Sequence, residues 1–191
     1  MSTTQPEAPA RRKDPDRRER IARAAIDVVA ERGVEKLTHR SVAAAAGVPL
    51  GSTTYYFSTL DDLLGSALRQ AAEDDVDHLR EWAEELESGR DFAAALTDLV
   101  LYYLGPARDK TAVEHQLYIA ALHRPALREA SQEWDTALAE LFGSYTDPET
   151  GRALSALFCG WLLQGIVRGS VPSRDEIEMS FQRLVQPGTK T

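Results

Sequence analysis

The stretch from residue 38 to residue 57, THRSVAAAAGVPLGSTTYYF, constrains the fold of this chain more than any other stretch. A threonine opens it, and the small side chains from residue 42 to residue 46 allow another helix to pack closely. Gly47 can adopt the left-handed backbone that ends a helix, and Pro49 suits the start of the next one. Two short helices joined by a Gly-containing turn form a helix-turn-helix, whose second helix enters the DNA major groove.

The polar residues of this stretch are of the kinds that contact DNA. Hydroxyls, a glycine that permits close approach and some apolar surface match phosphates, base edges and thymine methyl groups. His39 and Arg40 are expected in the first turn of the helix that Thr38 caps, where positive charge opposes the helix dipole. A nearby phosphate would explain their position. We expect Phe57 to close the unit as a core residue. The residues predicted to bind DNA are Thr38, His39, Arg40, Leu50, Gly51, Ser52, Thr54, Tyr55 and Tyr56.

The charge of the chain is divided unevenly along its length. The net charge is −8, yet residues 1–58 hold ten Lys and Arg against seven Asp and Glu, whereas residues 59–191 hold twelve against twenty-three. The basic part therefore coincides with the helix-turn-helix, as expected for a nucleic-acid binder. Ala, Leu, Glu and Arg are frequent, and β-branched or aromatic residues rarely alternate, so the fold is predicted to be all-α.

Several classes of protein do not fit this sequence. The single cysteine, Cys159, excludes an intrachain disulfide and is expected to be a small buried side chain. The longest apolar run, residues 153–167, is shorter than the roughly 20 residues of a membrane span, and the N-terminus lacks the apolar core of a signal peptide. We recognise no nucleophile with a base, metal cluster or phosphate loop. The expectation is a cytoplasmic protein without enzymatic activity, cofactor or metal.

The remainder of the chain is predicted to be helical. Residues 1–15, with three prolines and the basic cluster 11–13, are expected to form a disordered arm. The acidic run of Glu73, Asp74, Asp75 and Asp77 is interpreted as a solvated helix face. Helices are predicted at about 16–32, 38–46, 49–56, 61–88 and 91–104, then a sixth ending near 123, and at 125–145, 148–168 and 173–186.

Several short motifs together make the chain resemble the TetR family of transcriptional regulators. The matched segment runs from about Arg17 to Leu64, and its motifs are Ile-Ala-Arg-Ala-Ala at 21–25, Glu-Arg-Gly at 31–33, Leu-Thr at 37–38, Ala-Gly-Val at 46–48, Gly-Ser at 51–52 and Tyr-Phe at 56–57. The resemblance implies a nine-helix subunit in which three helices bind DNA, the fourth connects, the fifth to seventh surround a ligand pocket, and the last two form the dimer interface. The domains are then an arm at 1–15, a DNA-binding head at 16–60 and a ligand-binding and dimerisation body at 61–191.

The chain departs from the family pattern at two positions. Leu60 stands where family members usually carry a phosphate-binding lysine, and Thr54 stands where an aromatic is usual. DNA affinity is therefore expected to depend more on Arg40, Thr38, Tyr55, Tyr56 and the arm.

The resemblance also implies a mechanism. We expect a repressor that binds a near-palindromic operator as a homodimer and that leaves the DNA when a small-molecule inducer binds the body. The alternative is a helical protein-interaction bundle without sequence-specific DNA binding, which leaves the basic head unexplained.

Two further sets of candidate residues lie in the predicted body. Aromatic residues with polar tips and isolated polar residues on apolar helices suggest a ligand pocket, although core packing is the alternative for each. These pocket candidates are Trp82, Tyr102, Tyr103, His115, Tyr118, Trp134, Phe142, Trp161 and Gln164. Glycines within the eighth helix suggest close helix packing at a dimer interface, with packing inside the subunit as the alternative. The interface candidates are Leu157, Gly160, Trp161, Gln164 and Phe181.

Overall fold

The computed structural model describes residues 15–84 and 91–185. Within these residues the chain forms α-helices, two short 3₁₀ turns and no strands, which confirms the all-α prediction. The predicted arm, apart from Pro15, and the predicted end of the fourth helix at residue 88 lie outside the described residues. The α-helices are α1 Pro15–Arg32, α2 His39–Ala45, α3 Leu50–Tyr56, α4 Leu60–Glu84, α5 Phe92–Leu104, α6 Arg108–Ala120, α7 Arg128–Ser144, α8 Pro148–Arg168 and α9 Arg174–Val185.

Local side-chain chemistry explains where several helices begin and end. Asp91 accepts a hydrogen bond from the backbone N–H of Ala93 at the start of α5, and Asp147 does the same for Glu149 at the start of α8. α8 ends at Gly169, whose φ of 70° is the left-handed conformation that favours glycine. The predicted sixth helix is shorter than expected, because α6 ends at Ala120 and a turn leads to the 3₁₀ segment Pro125–Leu127.

One hydrophobic core, which we call the upper core, joins the head to α4, α6 and the first half of α7. Ile21 and Val29 of α1 pack in it with Phe57 and with Leu64 of α4, and Leu117 of α6 belongs to the same cluster. The proposed boundary at residue 60 therefore lies within a continuous core. Because α4 contributes to this core over its first seventeen residues, a shift of α4 must also disturb the packing of α1.

A second core, which we call the lower core, is formed by α5, α7, α8 and α9 together with Leu79 of α4. Tyr103, Phe142 and Phe158 are almost fully buried and meet edge to face, with ring centroids 5.6 to 5.8 Å apart. Phe181 of α9 is completely buried in the same cluster. The predicted pocket residues Tyr103 and Phe142 thus serve as core residues of the subunit.

The acidic run on α4 is not uniformly solvated as predicted. Glu73 and Asp77 are exposed, but Asp75 is only 4% exposed, and its carboxylate accepts a hydrogen bond of 2.6 Å from the hydroxyl of Tyr103. The prediction was wrong for Asp75 because a residue 28 positions away supplies its partner, and no local pattern reveals such a partner.

Candidate nucleic-acid interface and ligand groove

The turn between α2 and α3 is fixed by local hydrogen bonds. The Thr38 hydroxyl accepts from the backbone N–H of Ser41 at 3.0 Å, and the Ser41 hydroxyl accepts from the backbone N–H of Thr38 at 2.9 Å. This reciprocal capping box fixes the start of α2. Gly47 has φ 62° and permits the turn, and the N–H of Val48 donates to the carbonyl of Ala43. The relative positions of α2 and α3 are therefore set by this short segment.

Helix α3 separates its anchoring residues from its exposed residues. Thr53 is fully buried, and its hydroxyl donates to the carbonyl of Leu50 at 2.8 Å. Phe57 is 1% exposed, and the guanidinium of Arg18 lies 5.2 Å from the centre of its ring. Tyr55, by contrast, is 65% exposed. One side of α3 is thus packed against the core, and the opposite side is open to a partner.

Most of the predicted DNA-binding residues lie at the surface of the head. Thr38, Arg40, Leu50, Gly51, Thr54 and Tyr55 are exposed, and His39, Ser52 and Tyr56 are partly buried. The rings of Tyr55 and Tyr56 meet edge to face at 5.2 Å. Leu60 begins α4 and packs partly buried against the upper core.

Salt bridges connect α4 to the body. Arg124, which follows α6, lies 2.6 Å from the carboxylate of Asp61 at the start of α4. Further along α4, Arg69 pairs with Glu133 of α7 at 2.8 Å and with Glu129 at 3.2 Å. The connecting helix is therefore attached to the turn after α6 and to α7 by charged contacts as well as by the upper core.

A groove between α6, α7 and α8 is a candidate ligand site. It has a volume of about 940 Å³, and an adjoining cavity of about 150 Å³ shares Tyr118, Asp135 and Cys159 with it. We call these two spaces together the α6–α8 groove. Ala139, Arg152 and Ala156 line the larger space, and His115, Trp134 and Gly160 line the smaller one.

The centre of the α6–α8 groove combines aromatic rings with a carboxylate. The hydroxyl of Tyr118 donates to the carboxylate of Asp135, with 3.0 Å between Oη and Oδ2, and the ring of Trp134 meets that of Tyr118 edge to face at 6.0 Å. Burial raises the pKa of Asp135, and burial together with the Asp135 charge raises the pKa of Tyr118 to about 12. Burial also raises the pKa of the Cys159 thiol to about 12. Around Tyr118 and Trp134 the groove is therefore mainly apolar, and the charged side chains that line it are Asp135, Glu140 and Arg152.

The groove contains three of the nine predicted pocket residues, namely His115, Tyr118 and Trp134. The Nδ1 atom of His115 donates to the carbonyl of Thr111 at 2.9 Å, and burial lowers the pKa of this imidazole. The sequence interpretation missed Asp135 and Cys159. Trp134 directly precedes Asp135 on α7, so an acid beside a predicted pocket aromatic was the available signal.

The remaining pocket candidates lie elsewhere in the described structure. Tyr102 is 42% exposed and packs against His78. Trp82 packs partly buried against the lower core, and Gln164 is exposed. The indole N–H of Trp161 donates to the hydroxyl of Ser180 on α9 at 2.9 Å, which ties α8 to α9 within one subunit.

The predicted dimer face of α8 is partly open. Leu157 and Gly160 are half-buried, Gln164 is exposed, and a methyl group added at Gly160 would meet nothing within 4 Å. Gly165 instead packs against its own subunit, because an added Cβ would lie 2.5 Å from Leu104 Cδ1. Phe181 is completely buried and has no surface for a partner, so it is a core residue of the subunit and does not belong to the predicted interface.

No helix among the described residues is both long and apolar enough to cross a membrane. No group of three or more His, Cys, Asp or Glu side chains in residues 15–84 and 91–185 is arranged to hold a metal ion.

Comparison with known proteins places both parts of the chain in one family. Residues 21–67 match the family described as bacterial regulatory proteins, tetR family, and residues 87–187 match the tetracyclin repressor-like, C-terminal domain. The HTH-type transcriptional regulator PksA of Bacillus subtilis (strain 168) is 31% identical over 122 residues, which cover 61% of this chain and 57% of PksA. The chain thus spans little more than half the length of this curated relative.

Solved structures extend the match to nearly the whole chain. The multidrug binding protein EbrR complexed with imidazole is 41% identical, with a TM-score of 0.80, over 92% of this chain and 98% of that chain. EbrR has also been solved with ethidium, proflavin and malachite green. SCO1917 from Streptomyces coelicolor A3, described as a member of the TetR family, is 42% identical with a TM-score of 0.74, over 90% of this chain and 99% of that chain. The chain is therefore a member of the TetR family of bacterial transcriptional regulators.

Proposed function

We propose that this regulator is a cytoplasmic repressor that binds a near-palindromic operator as a homodimer and leaves it when a small molecule occupies the body. The exposed side of α3 carries this proposal. Tyr55, Thr54 and Gly51 are exposed on α3 and Arg40 is exposed on α2, while Thr53 and Phe57 are buried and hold α3 to the core. Such a surface suits a helix that lies in the major groove and contacts both bases and phosphates. In this proposal residues 16–60 act as the head and residues 61–191 as the body.

The outward face of α8 supports a two-fold dimer. Leu157, Gly160 and Gln164 offer an open face, and Val167 is 77% exposed on the same helix. A two-fold axis at this face would present two copies of α3, with operator half-sites about one helical turn, roughly 34 to 36 Å, apart.

A direct test measures binding of the full-length protein to a duplex selected from random sequence. We expect an enriched symmetric site and an affinity that falls steeply as salt rises, because phosphate contacts release counterions. The variant Arg40→Ala should weaken binding and reduce the salt dependence, whereas Arg80→Ala, which removes the same charge far along α4, should leave both unchanged. No retention on any duplex at low salt would favour the alternative, a helical protein-interaction bundle.

The proposed ligand is an aromatic organic cation in the α6–α8 groove. The molecules bound to EbrR include ethidium, proflavin and malachite green, which are aromatic compounds with positive charge. In this chain the groove offers the rings of Tyr118 and Trp134 and the carboxylate of Asp135. Aromatic faces attract cations, and a half-buried carboxylate gains from a positive partner. Its volume of about 940 Å³ suits a molecule of that size.

Ethidium fluorescence provides the test of the ligand site. We expect Asp135→Asn to weaken ethidium binding about tenfold or more, because it keeps the acceptor for Tyr118 but removes the charge. The control Asp175→Asn removes an exposed acid of α9 and should not change the affinity. Equal affinity of the Asp135→Asn variant and the wild type would contradict this assignment.

The ligand can release DNA only if it prefers the conformation in which the two heads are wrongly spaced. A shift from 1:99 to 99:1 requires about 5.5 kcal/mol of such preference. We propose α4 as the element that moves, because it is joined to the turn after α6 and to α7 by salt bridges and to the head by the upper core. The operator off-rate, measured with and without ethidium, should rise with ethidium in the wild type and not in Asp135→Asn.

A further inference from the structure

Two acidic side chains are buried where α4 meets α5 and α6, outside the α6–α8 groove. Asp75 of α4 is 4% exposed, and Glu114 of α6 is 3% exposed. Tyr103 of α5 donates its hydroxyl to Asp75 at 2.6 Å. The three helices thus meet around two carboxylates, and burying an ionised carboxylate is costly unless a positive charge or a proton compensates it.

A single lysine serves both carboxylates. The Nζ atom of Lys110 lies 3.3 Å from Oε1 of Glu114 and 3.9 Å from Oδ1 of Asp75. The contact with Glu114 is an ion pair without an aligned hydrogen bond, and Oε1 has no other hydrogen-bond partner. Within the described part of the chain, Lys110 makes the only ion pair of either carboxylate. Two acids and one half-exposed ammonium leave one negative charge uncompensated in the interior.

Further titratable groups surround Asp75 and Glu114, and their charges act on the two carboxylates. Asp74 of α4 is tied to Arg23 of α1 at 3.4 Å, and its charge opposes ionisation of Glu114. The other neighbours are His78 of α4, Tyr102 and Tyr103 of α5, His115 of α6 and Cys159 of α8. Arg23 is already paired with Asp74, burial disfavours the charged form of His115 by lowering its pKa, and the charge of His78 would favour an ionised Asp75. Because both carboxylates lie within 4 Å of the same ammonium and the charge of Asp75 opposes ionisation of Glu114, a proton on the pair is the compensation that the cluster itself can supply.

We propose that Asp75 and Glu114 together hold one proton when α4 is docked against α6, so that docking of α4 takes up a proton and undocking releases it. This inference rests on the proposed function only for its consequence, namely that a ligand or operator which moves α4 becomes sensitive to pH. The protonated pair itself depends only on the burial and charges of the cluster.

The direction of the pH effect follows from the pKa shifts. Burial raises the pKa of Glu114 to about 8, and it also raises the pKa of Asp75. A docked state that binds the extra proton loses stability as the pH rises from the ordinary carboxylate range to about 8, and no further above that. His115 acts in the opposite direction, because burial lowers its pKa, but only below its ordinary value of 6.5. The effect of the carboxylate pair is therefore read between pH 6.5 and pH 8, above the range in which His115 opposes it.

Amide hydrogen exchange on the full-length protein, without DNA or ligand, tests the proposal. After correction for intrinsic exchange, protection of α4 and α6 peptides should fall between pH 6.5 and pH 8 by up to about tenfold per pH unit, the limit for one proton. Glu114→Gln mimics the protonated acid and should remove this dependence. Glu73→Gln, which neutralises an exposed acid on α4, should behave as the wild type.

Each outcome decides the matter independently of DNA binding. Protection that does not change with pH in the wild type would overturn the proposal, as would a Glu114→Gln variant that keeps the full dependence. If Glu114→Gln does not fold, Asp75→Asn, which keeps an acceptor for Tyr103, should reduce the dependence in its place. Loss of operator binding with an intact pH dependence would reject the proposed function and leave the proton-holding pair in place.

Discussion

The head and the body place their polar residues in opposite ways. In the head, Tyr55 is 65% exposed while Phe57, two residues later, is 1% exposed, and the buried hydroxyl of Thr53 is satisfied within its own helix. In the body, Asp75 and Glu114 are buried against other helices, and Lys110 reaches them from the surface. The head is therefore built as a fixed surface, whereas the body carries interior charge that a proton or a ligand can change.

Helix α4 belongs to both arrangements. Leu63, Leu64 and Leu68 lie in the core shared with the head, and Asp75 lies further along the same helix among the buried charges. A change in charge at Asp75 acts on a rigid element whose other end packs under α1. The following substitutions test the contrast between a fixed head and an adjustable body.

The largest effect is expected at Phe57. Because its ring is fully buried between α3 and α4, Phe57→Ala should lower the free energy of unfolding by about 3 to 5 kcal/mol. Tyr55→Ala should change it by less than about 0.5 kcal/mol while weakening operator binding. Urea unfolding at one fixed protein concentration measures the free energy of unfolding of both variants. A comparable loss of stability for the two variants would show that α3 does not separate anchoring from recognition.

The next largest effect is expected where α7 and α8 pack against each other. A Cβ at Gly151 would lie 2.5 Å from the carbonyl oxygen of Ala139 and from the nitrogen of Gly143, so backbone atoms would have to move. Gly151→Ala should therefore cost about 1 to 3 kcal/mol. Gly160→Ala on the same helix meets open space and should stabilise the subunit by up to about 1 kcal/mol. Thermal unfolding of the two variants measures the difference, and equal effects would contradict it.

The cap and the turn of the head could be predicted from the sequence, whereas the facing side chains of the body could not. Thr38 and Gly47 act through neighbours within a few positions, so their roles follow from local rules of capping and turn formation. The burial of Asp75 depends on Tyr103, and the close approach at Gly165 depends on Leu104. Such contacts between distant positions have no local signature, which is why the helices of the body were predicted but their facing side chains were not.

The capping box of the head has a smaller expected effect. Thr38→Ala removes the oxygen that accepts from Ser41, and it should cost about 1 kcal/mol. Thr38→Ser keeps that oxygen and serves as the matched control. Urea unfolding compares the two, and a Thr38→Ser variant as unstable as Thr38→Ala would assign the effect to the lost methyl group.

The smallest effect is expected for the salt bridge between Arg124 and Asp61, whose side chains are 28% and 39% exposed. A double-mutant cycle with Arg124→Ala and Asp61→Asn should give a coupling energy of about 0.5 to 1 kcal/mol that decreases in high salt. The pair between Arg80 and Asp77 lies within α4 and is more exposed, so its coupling should be smaller. Because only the first pair joins α4 to the turn after α6, Arg124→Ala should also alter the response of operator binding to ethidium, whereas Arg80→Ala should not. Equal responses of the two variants would separate the stability of α4 from its proposed role in transmission.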